Sequence, residues 1–536
     1  MDLAERQGKA LLAAVKDKGF TPRRKDVSAL VGLLDTDDDD AVDDILRAVL
    51  AHPEEALERA MERFPEARPP TRGRLVKLVG RLLAVPALAQ RTEEIWRWVM
   101  ERLEDADPKT RRNAILVMGR SPLPVAEDAL LAAWEREERV DHRVSVAQSL
   151  GRVGGAKTRA LMQRVASGDP RLQKAIDQAS LMVERTMHRG AGSAVEPRGV
   201  PRAAANVELT CKRGLESLLA AEFDSSWGPV VMGPGRVRVM LSGSLETIFR
   251  SRIFQSMAFV IAPVMKPADG DIAEAVVSAV LSPGSLRILE SFTLRTIRYR
   301  IEWAEGGHRR ALTWRVVSRI AALCPALVND PKDSTWEVLV REMPDRVQVL
   351  LRPRKLSDPR FGYRRAEVAA ASHPTVAAAL ARVAGVSADD VVWDPFVGSG
   401  LELAERGRLG PYSRMEGRDL EAAALDAARL NLTGFARVSL VQGDALDPAP
   451  EGVSLILTNP PMGHRVGFGQ DVGAMLERFV SHAARSLIPG GRMVWLSPMD
   501  PRVRQAGVRA GLRLTQWQRI DLGGLDVELQ RFVRPV

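Results

Sequence analysis

Val391-Val392-Trp393-Asp394-Pro395-Phe396-Val397-Gly398-Ser399-Gly400-Leu401 is the stretch whose reading settles the fold of the C-terminal third. Three apolar residues in a row make a buried strand, an Asp-Pro pair ends it, and two glycines open a helix over Leu401 to Arg406. Glycines at such a turn let backbone approach a ligand without a Cβ clash, and the helix N-terminus presents unpaired amides there. The third glycine of a dinucleotide fingerprint would fall on Leu403, which weighs against a nicotinamide cofactor.

Outward from this stretch, strand-like and helix-like segments alternate regularly, which implies parallel βαβ units in a doubly wound, Rossmann-like α/β sheet over residues 366–536. Ligands bind at the carboxyl ends of such strands. Met415-Glu416-Gly417-Arg418-Asp419 ends a second strand with an acid suited to accept hydrogen bonds from both hydroxyls of a ribose. Leu440-Val441-Gln442-Gly443-Asp444 ends a third, where Asp444, followed by Ala445, can accept from an adenine amine. Taken singly, each Asp is an ordinary loop-capping residue. In order, they outline a nucleoside pocket whose expected wall is Asp394, Pro395, Phe396, Gly398, Gly400, Asp419, Asp444 and Ala445.

A fourth strand, Val453 to Leu457, delivers Thr458-Asn459-Pro460-Pro461-Met462-Gly463 to the same edge. Consecutive prolines remove donors and fix φ, so the Asn459 side-chain oxygen and the Pro460 carbonyl become outward-facing acceptors. A planar exocyclic amine is a poor nucleophile because its lone pair is conjugated with its ring. Two fixed acceptors that bind its two hydrogens favour a pyramidal nitrogen. A Pro-Pro turn after a buried strand is unremarkable alone; after a complete cofactor pattern it marks Asn459, Pro460, Pro461 and Met462 as candidate catalytic residues. His464 and Arg465 just beyond are read as a solvated loop or a phosphate contact.

The remaining chain divides in three. Residues 1–187 read as short amphipathic helices between Pro, Gly and Asp breaks, and Arg72-x7-Gly80-Arg81 recurs as Arg111-x7-Gly119-Arg120 and Arg143-x7-Gly151-Arg152. With Asp105-Ala106-Asp107-Pro108 before Thr110-Arg111, this block resembles HEAT repeats, an all-α solenoid that buries faces only between neighbours. It is either a surface for a protein or RNA partner or an accessory module without a ligand. Trp96, Trp98 and Trp134 are read as core rather than surface. Residues 188–204 are rich in Gly, Pro and Arg and are expected to be a linker. Residues 205–365 mix period-2 strands, as at Gly235 to Met240 and Arg298 to Trp303, with helices at Gly214 to Phe223 and Thr313 to Leu323, giving an α+β region of two small subdomains.

A formal charge of +9 and a pI near 9.8 favour a polyanionic partner, with most of the excess C-terminal of residue 190. The longest uncharged apolar run, Ile253 to Met265, is short of the roughly 20 residues of a membrane span, and the N-terminus has no secretory apolar core. A cytoplasmic protein is expected. Only Cys211 and Cys324 occur, so neither a disulfide framework nor a metal site is expected.

The motifs at 394–400, 417–419, 443–445 and 459–461 together resemble class I amino-methyltransferases. Val207 to Thr210 leading to Arg213-Gly214-Leu215-Glu216, with Gly235 to Val239 and Arg250 to Ile253, resembles the N-terminal ferredoxin-like part of THUMP-domain RNA methyltransferases. Arg298 to Trp303, His308-Arg309-Arg310, the helix Trp314 to Ile320, and the strands Trp336 to Val340 and Val347 to Leu351 resemble THUMP itself. The resemblance implies S-adenosyl-L-methionine as cofactor and methylation of guanosine N2 in structured RNA, tRNA or rRNA. It also implies phosphate contacts from Arg295, Arg298, Arg300, Arg309, Arg310, Arg315 and Arg319. Met462 stands where the family has a base-stacking aromatic, Leu401 where it has Thr, and Val397 where it has Cys. These departures leave two alternatives open: an adenine-N6 enzyme, and a non-catalytic RNA-binding or ribosome-associated scaffold.

Overall fold

The computed structural model describes residues 10–17, 19–36, 39–187, 192–307, 309–369, 371–462, 472–498 and 501–536. They form two compact units, one from the described part of 1–192 with Val317–Asp330, the other from Ser193–Val316 with Pro331–Val536.

The first unit is largely helical. Helices Pro69–Leu82, Pro108–Met118, Val140–Val153 and Pro170–Met187 form one row of the repeats, with Thr92–Glu101, Val125–Arg136 and Ala156–Arg164 between them. The echo in the sequence has a packing cause. A Cβ on Gly80 would lie 2.4 Å from Val117, on Gly119 2.5 Å from Ser149, and on Gly151 2.9 Å from the Ala179 backbone. Each glycine is thus the point where one repeat presses on the next. The echoed arginines bind turns: Arg111 donates to the Asp105 and Ala106 carbonyls, and Arg143 to that of Glu137. Asp107 caps the helix that Pro108 opens, accepting from Thr110 N at 2.9 Å. Trp96 and Trp134 are buried, and Trp98 packs edge-on against Phe64.

In the second unit, residues 193–365 carry a mixed sheet in the order Val230–Gly233, Arg236–Leu241, Ala205–Thr210, Ser256–Val260, Arg346–Pro353, Trp336–Glu342, Ile297–Trp303. Neighbours are antiparallel except the last pair, which is parallel. The α+β reading holds, but the expected two halves share one sheet, joined where Val260 and Phe259 pair with Leu350 and Leu351. The linker expectation needs correction. Ser193–Val195 is a short strand paired antiparallel with Thr293–Arg295, and Val195 is buried. A three-residue strand carries too little periodicity to stand out from its Gly/Pro surroundings. Among the described residues no single helix is long and apolar enough to cross a membrane.

The C-terminal sheet contains β1 (Val391–Asp394), β2 (Arg414–Asp419), β3 (Val438–Gln442), β4 (Leu455–Thr458), β5 (Arg492–Pro498), β6 (Arg513–Asp521) and β7 (Asp526–Val533), in the order β3-β2-β1-β4-β5-β7-β6. β1 to β5 are parallel and β7 runs against its neighbours. Helices α1 (Pro374–Ala384), α2 (Leu401–Leu409), α3 (Ala422–Asn431), α4 (Val472–Ser486) and α5 (Pro501–Arg509) accompany them. The strand order reverses between β1 and β4, and such a switch point opens a crevice at the carboxyl edge.

This domain is fastened to residues 205–365 by buried polar contacts. Arg252 donates to both oxygens of Glu405 at 2.6 and 2.8 Å, and the Tyr363 hydroxyl donates to the same carboxylate at 2.5 Å. On the 205–365 side of this seam, Arg360 lies 3.6 Å over the Phe254 ring and donates to the Phe254 carbonyl. At Gly214, φ is +95° and a Cβ would strike the Arg519 carbonyl at 1.9 Å.

Candidate active site

β1 ends at Asp394, and the chain then makes the glycine turn. Gly398 and Gly400 have φ of +49° and +79°, the left-handed region that glycine alone enters without strain. A Cβ on Gly400 would come within 3.0 Å of Leu432, so α2 starts tight against α3. Gly398 faces open space, with nothing closer than 4.0 Å to where its Cβ would be, and its amide donates to Asp419 Oδ2 at 2.9 Å. The turn and the acid at the end of β2 are therefore one unit. Pro395 is buried, and Phe396 packs edge-on against Phe479 while its amide donates to Asp394 Oδ1. Val397, in the position of the family cysteine, is a packing residue: a Cβ on Gly417 would meet it at 2.6 Å.

Asp419 also accepts from Glu421 N at 3.1 Å through Oδ1, so its carboxylate is held in place with acceptor capacity remaining. Asp444 is exposed and caps its own turn, accepting from Leu446 N at 2.8 Å through Oδ1, while Oδ2 accepts nothing among the described residues. Ala445 is buried in the core beside it. Two contributors escaped the sequence reading. Leu420, directly after Asp419, is 63% exposed at this edge and offers an apolar wall. Arg418 is buried, stacks over Trp393, and donates to the Asp447 and Pro448 carbonyls, holding the loop that carries Asp444. An exposed leucine in an otherwise polar turn was the available signal for the first; nothing in the sequence marked the second.

β4 is buried throughout and brings Thr458 to Asp394, where its hydroxyl donates to Oδ1 at 2.6 Å. Asn459 Nδ2 donates to Ser372 Oγ at 2.7 Å, and Ser372 in turn donates to Glu402. That leaves Asn459 Oδ1 and the Pro460 carbonyl as acceptors with no donor among the described residues. Pro460 is buried; Pro461 and Met462 are half-buried at the rim. Gly463, His464 and Arg465 lie outside the described residues.

The electrostatics of this edge are unusual for carboxyls. Burial holds Asp394 well above the ordinary carboxylate range, and the neighbouring Glu402 adds to the effect. Burial likewise raises Glu402. Asp394 Oδ2 is buried without a hydrogen-bond partner among the described residues. An orphaned buried acceptor beside an open glycine cradle fits a ligand carrying a cationic or N–H group next to a nucleoside.

The arginines expected to meet RNA phosphates divide. Arg298 is buried and donates to Asp333 at 2.6 Å, which corrects the phosphate-contact expectation: its strand position turns it into the fold. Arg300 pairs with buried Glu337, and Arg309 with Glu342 at 2.6 Å. Arg310 and Arg319 are exposed on helix Arg310–Leu323, as is Arg315, which pairs with Asp271 at 2.7 Å. Arg295 is exposed with φ of +66°. His308 lies outside the described residues.

The family model for an RMKL-like methyltransferase domain matches residues 361–528, and that for HEAT repeats matches residues 97–179. The chain is 32% identical over 158 residues to tRNA (guanine(6)-N2)-methyltransferase of Thermus thermophilus, covering 28% of this chain and 47% of that protein. It is 31% identical over 129 residues to tRNA (guanine(10)-N2)-dimethyltransferase of Methanothermobacter thermautotrophicus, covering 23% of this chain and 38% of that one. The chain thus spans less than half the length of these curated relatives. Among solved structures, TrmN from Thermus thermophilus matches with a TM-score of 0.52 at 23% identity, over 62% of this chain and 100% of that one, a likeness of fold. Residues 361–528 are therefore an RMKL-like methyltransferase domain, and residues 97–179 belong to a block of HEAT repeats.

Proposed function

We propose that this chain is an S-adenosyl-L-methionine-dependent RNA methyltransferase that acts on an exocyclic base amine, guanosine N2 in tRNA or rRNA. The observation that carries the reading is the turn at 459–460: two acceptors, Asn459 Oδ1 and the Pro460 carbonyl, have no donor among the described residues and stand at the carboxyl edge where Asp394 and the glycine turn meet. The names of the two curated relatives, both tRNA guanine-N2 enzymes, support the choice of base and substrate.

The cofactor, when bound, supplies an electrophilic methyl group on a sulfonium. Asp419 would accept hydrogen bonds from its ribose hydroxyls, Asp444 Oδ2 from its adenine amine, and Asp394 Oδ2 from its ammonium. Gly398 lets the backbone come close, and Leu420 covers an apolar face. Asn459 and Pro460 hold the two hydrogens of the target amine, which turns its lone pair out of conjugation; Pro461 keeps the turn rigid and Met462 packs on the base. The amine proton leaves to solvent after transfer, so no strong base is required.

Residues 205–365 fit the role of a ferredoxin-like and THUMP RNA-binding region, with Arg310, Arg315 and Arg319 as its exposed phosphate contacts. The domain limits 1–187, 205–365 and 366–536 follow this division of labour, with the HEAT-like block available to a protein partner. A cytoplasmic location is part of the same proposal.

The test is nucleoside mass spectrometry of tRNA and rRNA incubated with the protein and S-adenosylmethionine. N2-methylguanosine is the expected product. N6-methyladenosine would overturn the choice of base, and no product together with no calorimetric binding of S-adenosylhomocysteine would establish the scaffold instead.

A further inference from the structure

A primary amide has nearly the same shape in its two orientations. Rotating the Asn459 amide by half a turn would exchange its oxygen for an NH2 group with little steric change, and would present hydrogens to an amine whose own hydrogens must be held. The reaction proposed above works in one orientation only. Something must discriminate between them.

The discriminating contacts lie behind the turn. Asn459 Nδ2 lies 2.7 Å from Ser372 Oγ, and Ser372 Oγ bonds to Glu402 Oε1. Glu402 is 3% exposed in the first turn of α2; burial raises its carboxyl, and the Ser372 hydroxyl bond together with the helix N-terminus opposes that rise and favours the anion. A serine hydroxyl has one hydrogen. Once that hydrogen goes to the carboxylate, Ser372 can only accept from Asn459, so nitrogen is drawn inward and oxygen is left facing outward. Ser372 is itself held by its neighbour His373, the N-cap of α1, whose side chain accepts from Thr375 N at 3.3 Å. The relay therefore has a fixed frame at both ends.

We propose that Ser372 and Glu402 are positioning residues for the methyl transfer, a polarised hydrogen-bond chain that locks the Asn459 amide with its oxygen toward the target amine. This rests on the catalytic reading of Asn459 given above. Neither residue touches the reacting atoms. Their effect is on the orientation of one that does.

Ser372→Ala removes the chain at a half-buried position with almost no change in packing. It is expected to lower kcat by about 10²-fold, the scale of a misoriented reacting group, with the KM for RNA and the affinity for S-adenosylhomocysteine unchanged. Ser372→Thr keeps the hydroxyl and restores most of kcat. Glu402→Gln, whose neutral amide can also donate and so reverse the chain, lowers kcat, and the double variant is no worse than Ser372→Ala alone. A wild-type kcat in Ser372→Ala, an equal loss of cofactor affinity, no rescue by Ser372→Thr, or additive losses would each overturn the proposal while leaving the proposed activity standing. An inert wild-type protein would overturn both.

Discussion

Thr458 donates to Asp394 at 2.6 Å with both side chains fully buried, so the end of β4 is bolted to the end of β1 directly beneath the glycine turn. Replacing Thr458 by Val keeps the shape and removes the hydroxyl donor to Asp394 Oδ1, leaving only the Phe396 amide at 3.2 Å. Chemical denaturation of Thr458→Val is expected to show a loss of about 1–3 kcal/mol, the scale of a buried acceptor stripped of its donor. Unchanged stability would mean that the bolt contributes nothing.

Asp419 holds the Gly398 amide and, in the proposed function, also offers acceptors to a ribose. Asp419→Ala is expected to weaken S-adenosylhomocysteine binding by at least about tenfold, in line with about 1.5–3 kcal/mol for a hydrogen bond to a charged group. Asp419→Asn, which keeps one acceptor oxygen, should fall between it and the wild type in calorimetry.

At the opposite edge of the sheet, Asp390 accepts from Arg406 at 2.7 Å and from Arg492 at 2.8 and 2.9 Å. Burial pushes its carboxyl up, but the Arg492 and Arg406 hydrogen bonds outweigh that and hold it far below the ordinary range. A depressed folded-state value means that its stabilisation is complete above the unfolded value of about 3.9 and is lost as pH falls through the folded value. Acid titration of the wild type should therefore show a declining stability below about pH 4 that is flatter in Asp390→Asn. That variant should lose about 3–5 kcal/mol at neutral pH, because it leaves the fully buried Arg406 uncompensated.

In the proposed function, half-buried Met462 stands at the rim where an aromatic ring would stack on the base. Met462→Tyr is expected to raise kcat/KM by roughly two- to tenfold, matching about 0.5–1.5 kcal/mol of ring stacking beyond area alone. A fall in kcat/KM would show that the thioether is fitted to its substrate better than a ring.

The sheet and the gathering of these residues at its carboxyl edge were legible because each strand ends in a residue with few reasons to be there: Asp394 before the glycines, Asp419 after Gly417, Asn459 before two prolines. The repeat block was legible for a similar reason, since Gly80, Gly119 and Gly151 are demanded by contact with the next helix. Ser372 and Glu402 were not legible. They lie far from Asn459 in sequence, and a serine in a loop and a glutamate on a helix carry no mark of burial. The arginines show what composition leaves out: it displays a guanidinium but not its partner, and Arg298, Arg300 and Arg309 find theirs in Asp333, Glu337 and Glu342.

The contacts of Glu405 constrain how the catalytic domain can be inherited. Its carboxylate is 1% exposed; it is hydrogen-bonded by Tyr363 and neutralised by Arg252, which lies outside residues 361–528. An excised fragment would carry an anion without a counter-ion in its interior, and the bare wall at Gly214 would be lost along with it. The chemistry is therefore not a portable cassette. Residues 205–365 act as part of its solvent, and recombination with another substrate-binding region would succeed only if it brought its own cation to the same place.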